Sequence, residues 1–218
     1  MNTNDVLERL ARDVEPVTPL PRPWFRAATW LLGTVMYFGV MALMMTPSTD
    51  LVANAAGRSF LLLQVAAIVA SVAAAGAAFV SVVPGSSPRV LAWPVATVGV
   101  WLGSLVPGTI REWSSGAVSF ASQTEWPCVA MIVLGSLLPS LGMTRMLRHG
   151  APLTPRTTLA LAVLAPAGLA NVVACVSHPH ASRGVMLIWH GSTVLVLVAV
   201  AAGLGASILT WKSLRRVG

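Results

Sequence analysis

The stretch 59–83, SFLLLQVAAIVASVAAAGAAFVSVV, decides the fold: it runs for 25 residues without a charged side chain. A helix of that length reaches roughly 37 Å at about 1.5 Å per residue, enough to cross a hydrocarbon core of about 30 Å. Its small residues fall in rows, with Ala67, Ser71 and Ala75 on one and Ala70, Ala74 and Ala78 on another. Such rows let helix backbones approach closely in lipid.

Working outward, five further apolar runs of spanning length lie near 27–45, 90–107, 127–145, 157–176 and 184–211. Pro139 and Pro166 fall inside two of them and are expected to kink their helices. The composition agrees, since 56% of the 218 residues are hydrophobic and only 10% are charged. Soluble domains carry about a quarter charged residues. The spans leave no room for a separate soluble domain. The expected class is therefore all-α: a polytopic membrane bundle of six transmembrane helices.

The cations give the orientation. Eleven of the fourteen lie on the amino-terminal side of the spans: Arg9, Arg12, Arg22, Arg26, Arg89, Arg145, Arg148, Arg156, Lys212, Arg215 and Arg216. Only Arg58, Arg111 and Arg183 lie on the other. By the positive-inside rule both termini are expected in the cytoplasm. The same asymmetry explains the net charge of +7 without nucleic acid.

Residues 2–14, NTNDVLERLARDV, read as a short amphipathic helix that Thr3 or Asn4 can cap, with Val6, Leu7, Leu10 and Val14 on one face. A lone helix of this length is marginal in water and needs a surface, whether lipid headgroups, the protein's own loops or a partner. Residues 15–23, EPVTPLPRP, carry four prolines and read as an extended spacer, after which Trp24 and Arg26 mark an interface anchor. The expected organisation is a cytoplasmic segment 1–26, a six-helix domain 27–211 and a basic tail 212–218.

The chemistry gathers at the opposite edge. The stretch 175–190, CVSHPHASRGVMLIWH, holds one of the two cysteines and three of the four histidines. Cys128 opens span four and Cys175 closes span five, so topology places both near the non-cytoplasmic face. Asn171 lies one helical turn from Cys175 on the same face, and His190 lies about two turns into span six. Glu125 ends the long outer loop expected over 108–126. The helix dipole distinguishes the thiols: unpaired N–H groups surround Cys128 and carbonyls surround Cys175, so Cys128 is expected to attack an oxidant or soft metal first. A metal reading draws on Cys128, Cys175, His178 and His190, because thiolate and imidazole suit zinc, copper(I) or cadmium. No C-x-x-C and no helical H-x-x-x-H is present, so no resident cofactor is expected, and transient capture of a soft metal ion is the form this chemistry takes. The plainer roles are apolar packing for the cysteines and a cross-helix hydrogen bond for His190.

These residues resemble the NrsF-like family of bacterial inner-membrane anti-sigma factors, which regulate extracytoplasmic-function sigma factors. The leader NDVLERLARDVEPVTPLPRPWFRA is similar to that family's: a short helix, a Pro-Val element, prolines, then an arginine. The later half matches through Cys128, the turn Arg148-x-Gly150-x-Pro152, Cys175, Trp189-His190, and the exit Gly203, Gly205, Leu209 and Trp211. The resemblance implies a multi-pass protein of the bacterial inner membrane whose cytoplasmic segment holds a sigma factor away from RNA polymerase. Val6, Leu7, Leu10 and Val14 would be its anchors. Metal or oxidative stress at the periplasmic-side pair Cys128 and Cys175 would release the partner.

Two other classes compete. A metal-binding or small-solute transport protein would use the Cys/His cluster, but the spans hold few polar groups, Gln64, Asn171 and His190, and no acidic residue. A bis-histidine haem carrier needs a facing histidine pair, and only His190 is deep enough. Hydrolytic catalysis lacks a Ser-His-Asp set or a carboxylate pair. The expected protein is a non-enzymatic signalling regulator with a sigma factor and the lipid bilayer as partners and no direct contact with nucleic acid.

Overall fold

A computed structural model describes Thr3, Asp5, Glu8 and residues 20–45, 58–116, 126–177 and 183–209. Six long helices appear in the expected order: α1 (Pro23–Met45), α2 (Arg58–Ser81), α3 (Ala92–Ser114), α4 (Trp126–Leu147), α5 (Pro155–Ser177) and α6 (Gly191–Ile208). A 3-10 turn, Pro88–Leu91, leads into α3. A helical turn, Arg183–Val185, and a π-helical stretch, Met186–His190, lead into α6. Six helical segments are long and apolar enough to cross a membrane, and no strand occurs among the described residues. Thr3, Asp5 and Glu8 are helical and exposed, while Val6, Leu7, Leu10 and Val14 lie outside the described residues.

The bundle is built around α5. Buried residues make up 72% of its most apolar window, against 17% for α1 and for Met186–Ile208. It packs against α2, α4, α6 and α1. Its small side chains explain the position: Ala162, Ala165, Ala167, Gly168, Ala170 and Ala174 are all buried. The small rows of α2 meet it, with Ala67, Ala70, Ala74, Ala75 and Ala78 buried. A Cβ at Gly168 would overlap Ser71 Oγ, which turns back to Ala67 O at 2.8 Å. The contact is backbone-close because neither helix carries bulk there. The leucines and valines left over, such as Leu32, Leu62, Leu134, Leu138 and Leu195, point outward and are exposed.

Two boundaries differ from expectation, and the first is the start of α1 at Pro23 rather than 27, which takes in Trp24 and Arg26. Helix α3 does not stop at 107 but runs through Pro107 to Ser114. Pro107 removes only the one backbone donor to Gly103 O, and on the turns beside it Ser104 Oγ donates to Trp101 O at 2.6 Å and Thr109 Oγ1 to Leu105 O at 3.0 Å. The expected long loop is shorter by that extension, and Glu112 becomes part of a helix.

The helix ends are tied into two layers. At the near end Arg26, expected as an interface anchor, is instead buried at 5% exposure; Trp24 is 70% exposed. The Arg26 guanidinium donates to Met146 O in the last turn of α4 and lies 5.2 Å from the Phe79 ring centroid. It therefore satisfies an orphan helix-end carbonyl while resting on an aromatic face. Ala151 N donates to Val82 O at 3.1 Å, joining the α4–α5 turn to the end of α2. A Cβ at Gly205 would lie 2.5 Å from Arg156 Cα, so α6 leaves the bundle against the start of α5. The far end carries the candidate site.

Candidate functional site

Asn171 and Cys175 are four residues apart on α5, which stacks them on one face. His190 comes from the last position of the π-helical stretch before α6. A π turn adds a residue to the helical repeat and re-aims the side chains that follow, a device frequent at functional positions. Here the ring reaches α5. His190 Nδ1 is 2.9 Å from Asn171 Oδ1 and 3.6 Å from Cys175 Sγ, and Cys175 Sγ donates to Asn171 Oδ1 at 3.8 Å. All three side chains are buried, each at 1% exposure.

The chemistry of this triangle follows from its acceptor. An amide oxygen only accepts, so the 2.9 Å bond makes His190 the donor and places its proton on Nδ1. Nε2 is then the basic nitrogen of the ring. Cys175 therefore meets the N–H side of the ring, and the lone pair that could take a proton or a soft cation is on Nε2, not on the nitrogen in contact with the thiol.

The support around the triangle is equally specific. Both carboxylate oxygens of Glu112, near the end of α3, accept backbone N–H groups: Arg183 N at 3.0 Å and Gly184 N at 2.9 Å. Those amides open the turn that precedes the π stretch, where orphan donors need a partner and a carboxylate is a strong one. Gly108, one turn before Glu112, is overlain by the Arg183 side chain, which any Cβ there would strike. Trp126 and Trp189 meet edge to face, with centroids 5.8 Å apart and an interplanar angle of 62°. The stack links the residue two before Cys128 to the residue before His190.

Cys128 is also a buried thiol, at 1% exposure. It belongs to the main core with Met131, Ile132 and Ala170, whereas Cys175 belongs to a smaller cluster with Leu63, Trp101, Leu105 and Met186. The structure thus brings Cys175, Asn171 and His190 together, and Cys128 packs in the cluster that also holds Ala170 and Ala174 of α5. His178, His180 and Glu125 lie outside the described residues. Among the described residues no group of three or more His, Cys, Asp or Glu side chains is placed to hold a metal ion.

Sequence reasoning anticipated Asn171 below Cys175 but missed Glu112. A signal existed, because Glu112 is the only acidic residue between Asp50 and Glu125. A lone carboxylate at the edge of a spanning helix is costly unless it has partners.

No curated protein and no solved structure matches the chain. A family model does: NrsF, described as negative regulator of sigma F, matches residues 10–211. That match begins inside the amino-terminal segment, runs through all six apolar helices and takes in both cysteines, Asn171 and His190, and it covers most of the chain. The chain belongs to the NrsF family of negative regulators of sigma F.

Proposed function

We propose that the protein is an integral-membrane anti-sigma factor that holds an extracytoplasmic-function sigma factor at the cytoplasmic face of the bacterial inner membrane. The observation that carries this reading is the family match over residues 10–211, because negative regulation of a sigma factor requires a sigma-factor partner. Both termini are cytoplasmic in this reading, from the distribution of cations. The amino-terminal segment is the capture site, with Val6, Leu7, Leu10 and Val14 as the apolar anchors that a partner groove would cover. Burial of Arg26 supports this role, because it fixes the base of that segment to α2 and α4.

Release is triggered at the other end of the bundle, by metal or oxidative stress at the cysteines. The helix dipole favours Cys128 as the first thiol to react, and in this reading the contact of Cys175 with His190 and Asn171 reverses that order. Oxidation or soft-metal capture there would remove the S–H and its hydrogen bonds, and the π stretch is the adjoining element able to repack. Cys128, in the neighbouring core beneath the Trp126–Trp189 stack, is the second thiol. No resident cofactor is needed, and a soft metal ion acts as a transient stimulus.

The test is a pull-down of the detergent-solubilised chain against its host's sigma factors, with and without residues 1–23. A sigma factor retained by the full chain and lost from the truncated one supports the reading. Retention by both places capture elsewhere, and retention by neither sets the anti-sigma assignment aside in favour of metal binding.

A further inference from the structure

A groove of about 570 Å³ runs along the outer surface between α4 and α6, with α5 as its floor. Leu137, Leu141, Val163, Leu197, Val200 and Leu204 give it an apolar lining. From Val133 on α4 to Arg148 just past its end the lining extends about 22 Å at 1.5 Å per residue. Its polar groups are already turned inward. Ser140 Oγ donates to Ser136 O and Thr144 Oγ1 to Ser140 O, both at 2.7 Å, and Ser136 Oγ donates to Val133 O at 3.2 Å. The walls therefore offer hydrocarbon rather than hydrogen bonds, which suits an apolar chain and not a polar solute.

The near end of the groove is different. Arg145 and Arg148 stand there, both exposed. Arg148 Nε donates to Ile208 O at 3.2 Å, which holds the side chain across the end of α6 and leaves its other N–H groups outward. From Trp126 to Gly218 the sequence contains no aspartate or glutamate. The counter-charge for these arginines comes from outside this half of the chain.

Charge decides between the two occupants at hand. The amino-terminal segment carries Asp5, Glu8, Asp13 and Glu15 but also Arg9, Arg12, Arg22 and Arg26, so it brings no net counter-charge. An extended hydrocarbon chain with a phosphate at one end matches both the apolar lining and the two cations.

We infer that this groove is a binding site for an anionic glycerophospholipid, with one acyl chain laid between α4 and α6 and its phosphate against Arg145 and Arg148. The inference rests on the membrane reading given above. The site is a built one: α5 supplies the floor, the carbonyl-bonded hydroxyls keep the wall apolar, and Ile208 O positions one of the two cations. A bound lipid adds a bridge between α4 and α6 along the groove.

The experiment is native mass spectrometry of the full chain in mild detergent, titrated with phosphatidylglycerol or with phosphatidylcholine of the same acyl chains. Phosphatidylglycerol should remain bound at energies that strip phosphatidylcholine. The double variant Arg145→Gln, Arg148→Gln should weaken phosphatidylglycerol binding about thirtyfold, since each surface cation near an anionic lipid contributes roughly a factor of five. Val200→Trp, which fills the groove from an exposed rim position, should displace the lipid with both arginines intact. Glycerol phosphate should not compete at equal concentration. Equal retention of the two lipids, an unchanged double variant, or full competition by glycerol phosphate would each overturn the site. Alkaline carbonate extraction of the same chain separates this from the wider reading: release from membranes defeats the membrane assignment, whereas retention without lipid selectivity defeats the groove alone.

Discussion

His190 and Asn171, nineteen residues apart, share a hydrogen bond of 2.9 Å between Nδ1 and Oδ1 beneath a buried thiol. The bond fixes the imidazole tautomer, and Asn171→Leu removes it at nearly constant volume. The protonated nitrogen should then move from Nδ1 toward Nε2, visible in the imidazole nitrogen chemical shifts of labelled protein. Stability should fall by about 1 kcal/mol, the scale of cross-helix hydrogen bonds in bilayers. An unchanged tautomer would show that Asn171 does not orient the ring.

The two cysteines should act in one release pathway, although their surroundings differ. Cys175→Ser replaces the thiol that contacts His190 and should blunt metal- or oxidant-triggered release while capture of the sigma factor stays intact. Cys128→Ser, in the main core, should blunt it too, with the double variant no worse than the stronger single one. A transcriptional reporter of the released sigma factor reads all three. A normal response in the double variant returns both residues to packing.

Glu112 should be worth more than its exposed surroundings suggest, since both its oxygens hold backbone amides at the entry to the π stretch. Glu112→Gln keeps the shape, loses the charge and can accept only through one oxygen. The expected cost is about 1–2 kcal/mol in unfolding free energy, the difference between charge-assisted and partly unsatisfied amides. Hydrogen exchange at Arg183 and Gly184 should accelerate by a matching factor. Unaltered exchange at those two amides would mean that the cap contributes nothing.

Much of this architecture was legible because a run of eighteen or more apolar residues has few alternatives, so α2, α4 and α5 were placed almost to the residue. Length alone failed where chemistry interrupts the run. The third span was expected to end near 107, where its apolar run gives out, yet α3 continues through Pro107 to Ser114. Arg26 read as an interface cation, and nothing local reveals that Met146 O and the Phe79 ring wait for it 120 and 53 positions away. The site was half visible. A four-residue spacing put Asn171 under Cys175, but the ring of His190 reaches them only through a π turn, and a one-residue change of helical repeat leaves no mark in hydropathy. Glu112 shows the same limit: its partners are backbone amides 71 and 72 residues on, and backbone carries no sequence signature.

Close helix approach at the near end predicts a sharp size limit. Gly205 faces backbone atoms, Arg156 Cα and Pro155 O, both 2.5 Å from where a Cβ would sit, and backbone cannot rotate away. Gly205→Val should destabilise the bundle by about 1–3 kcal/mol, as overpacked sites do. Gly203→Val, with nothing within 4 Å, should be nearly silent. Denaturation in mixed micelles compares the pair, and equal effects would place the cost in helix propensity instead of packing.

The proposed capture segment yields the most direct test. Asp5 and Glu8 are helical and exposed, and at about 100° per residue they lie opposite the stripe of Val6, Leu7, Leu10 and Val14. A partner that covers the stripe gains most from its two leucines, each worth roughly 1.5–3 kcal/mol when fully buried. Leu7→Asp with Leu10→Asp reverses that gain and adds two charges to an apolar contact, so affinity should fall by more than a thousandfold. The six helices do not depend on either residue, so the variant should still insert and melt like the parent. Binding measured by interferometry on the detergent-solubilised chain, beside its melting curve, reads both at once. Undiminished binding with a normal melt would move the sigma-factor site away from this helix and onto the loops at the near end.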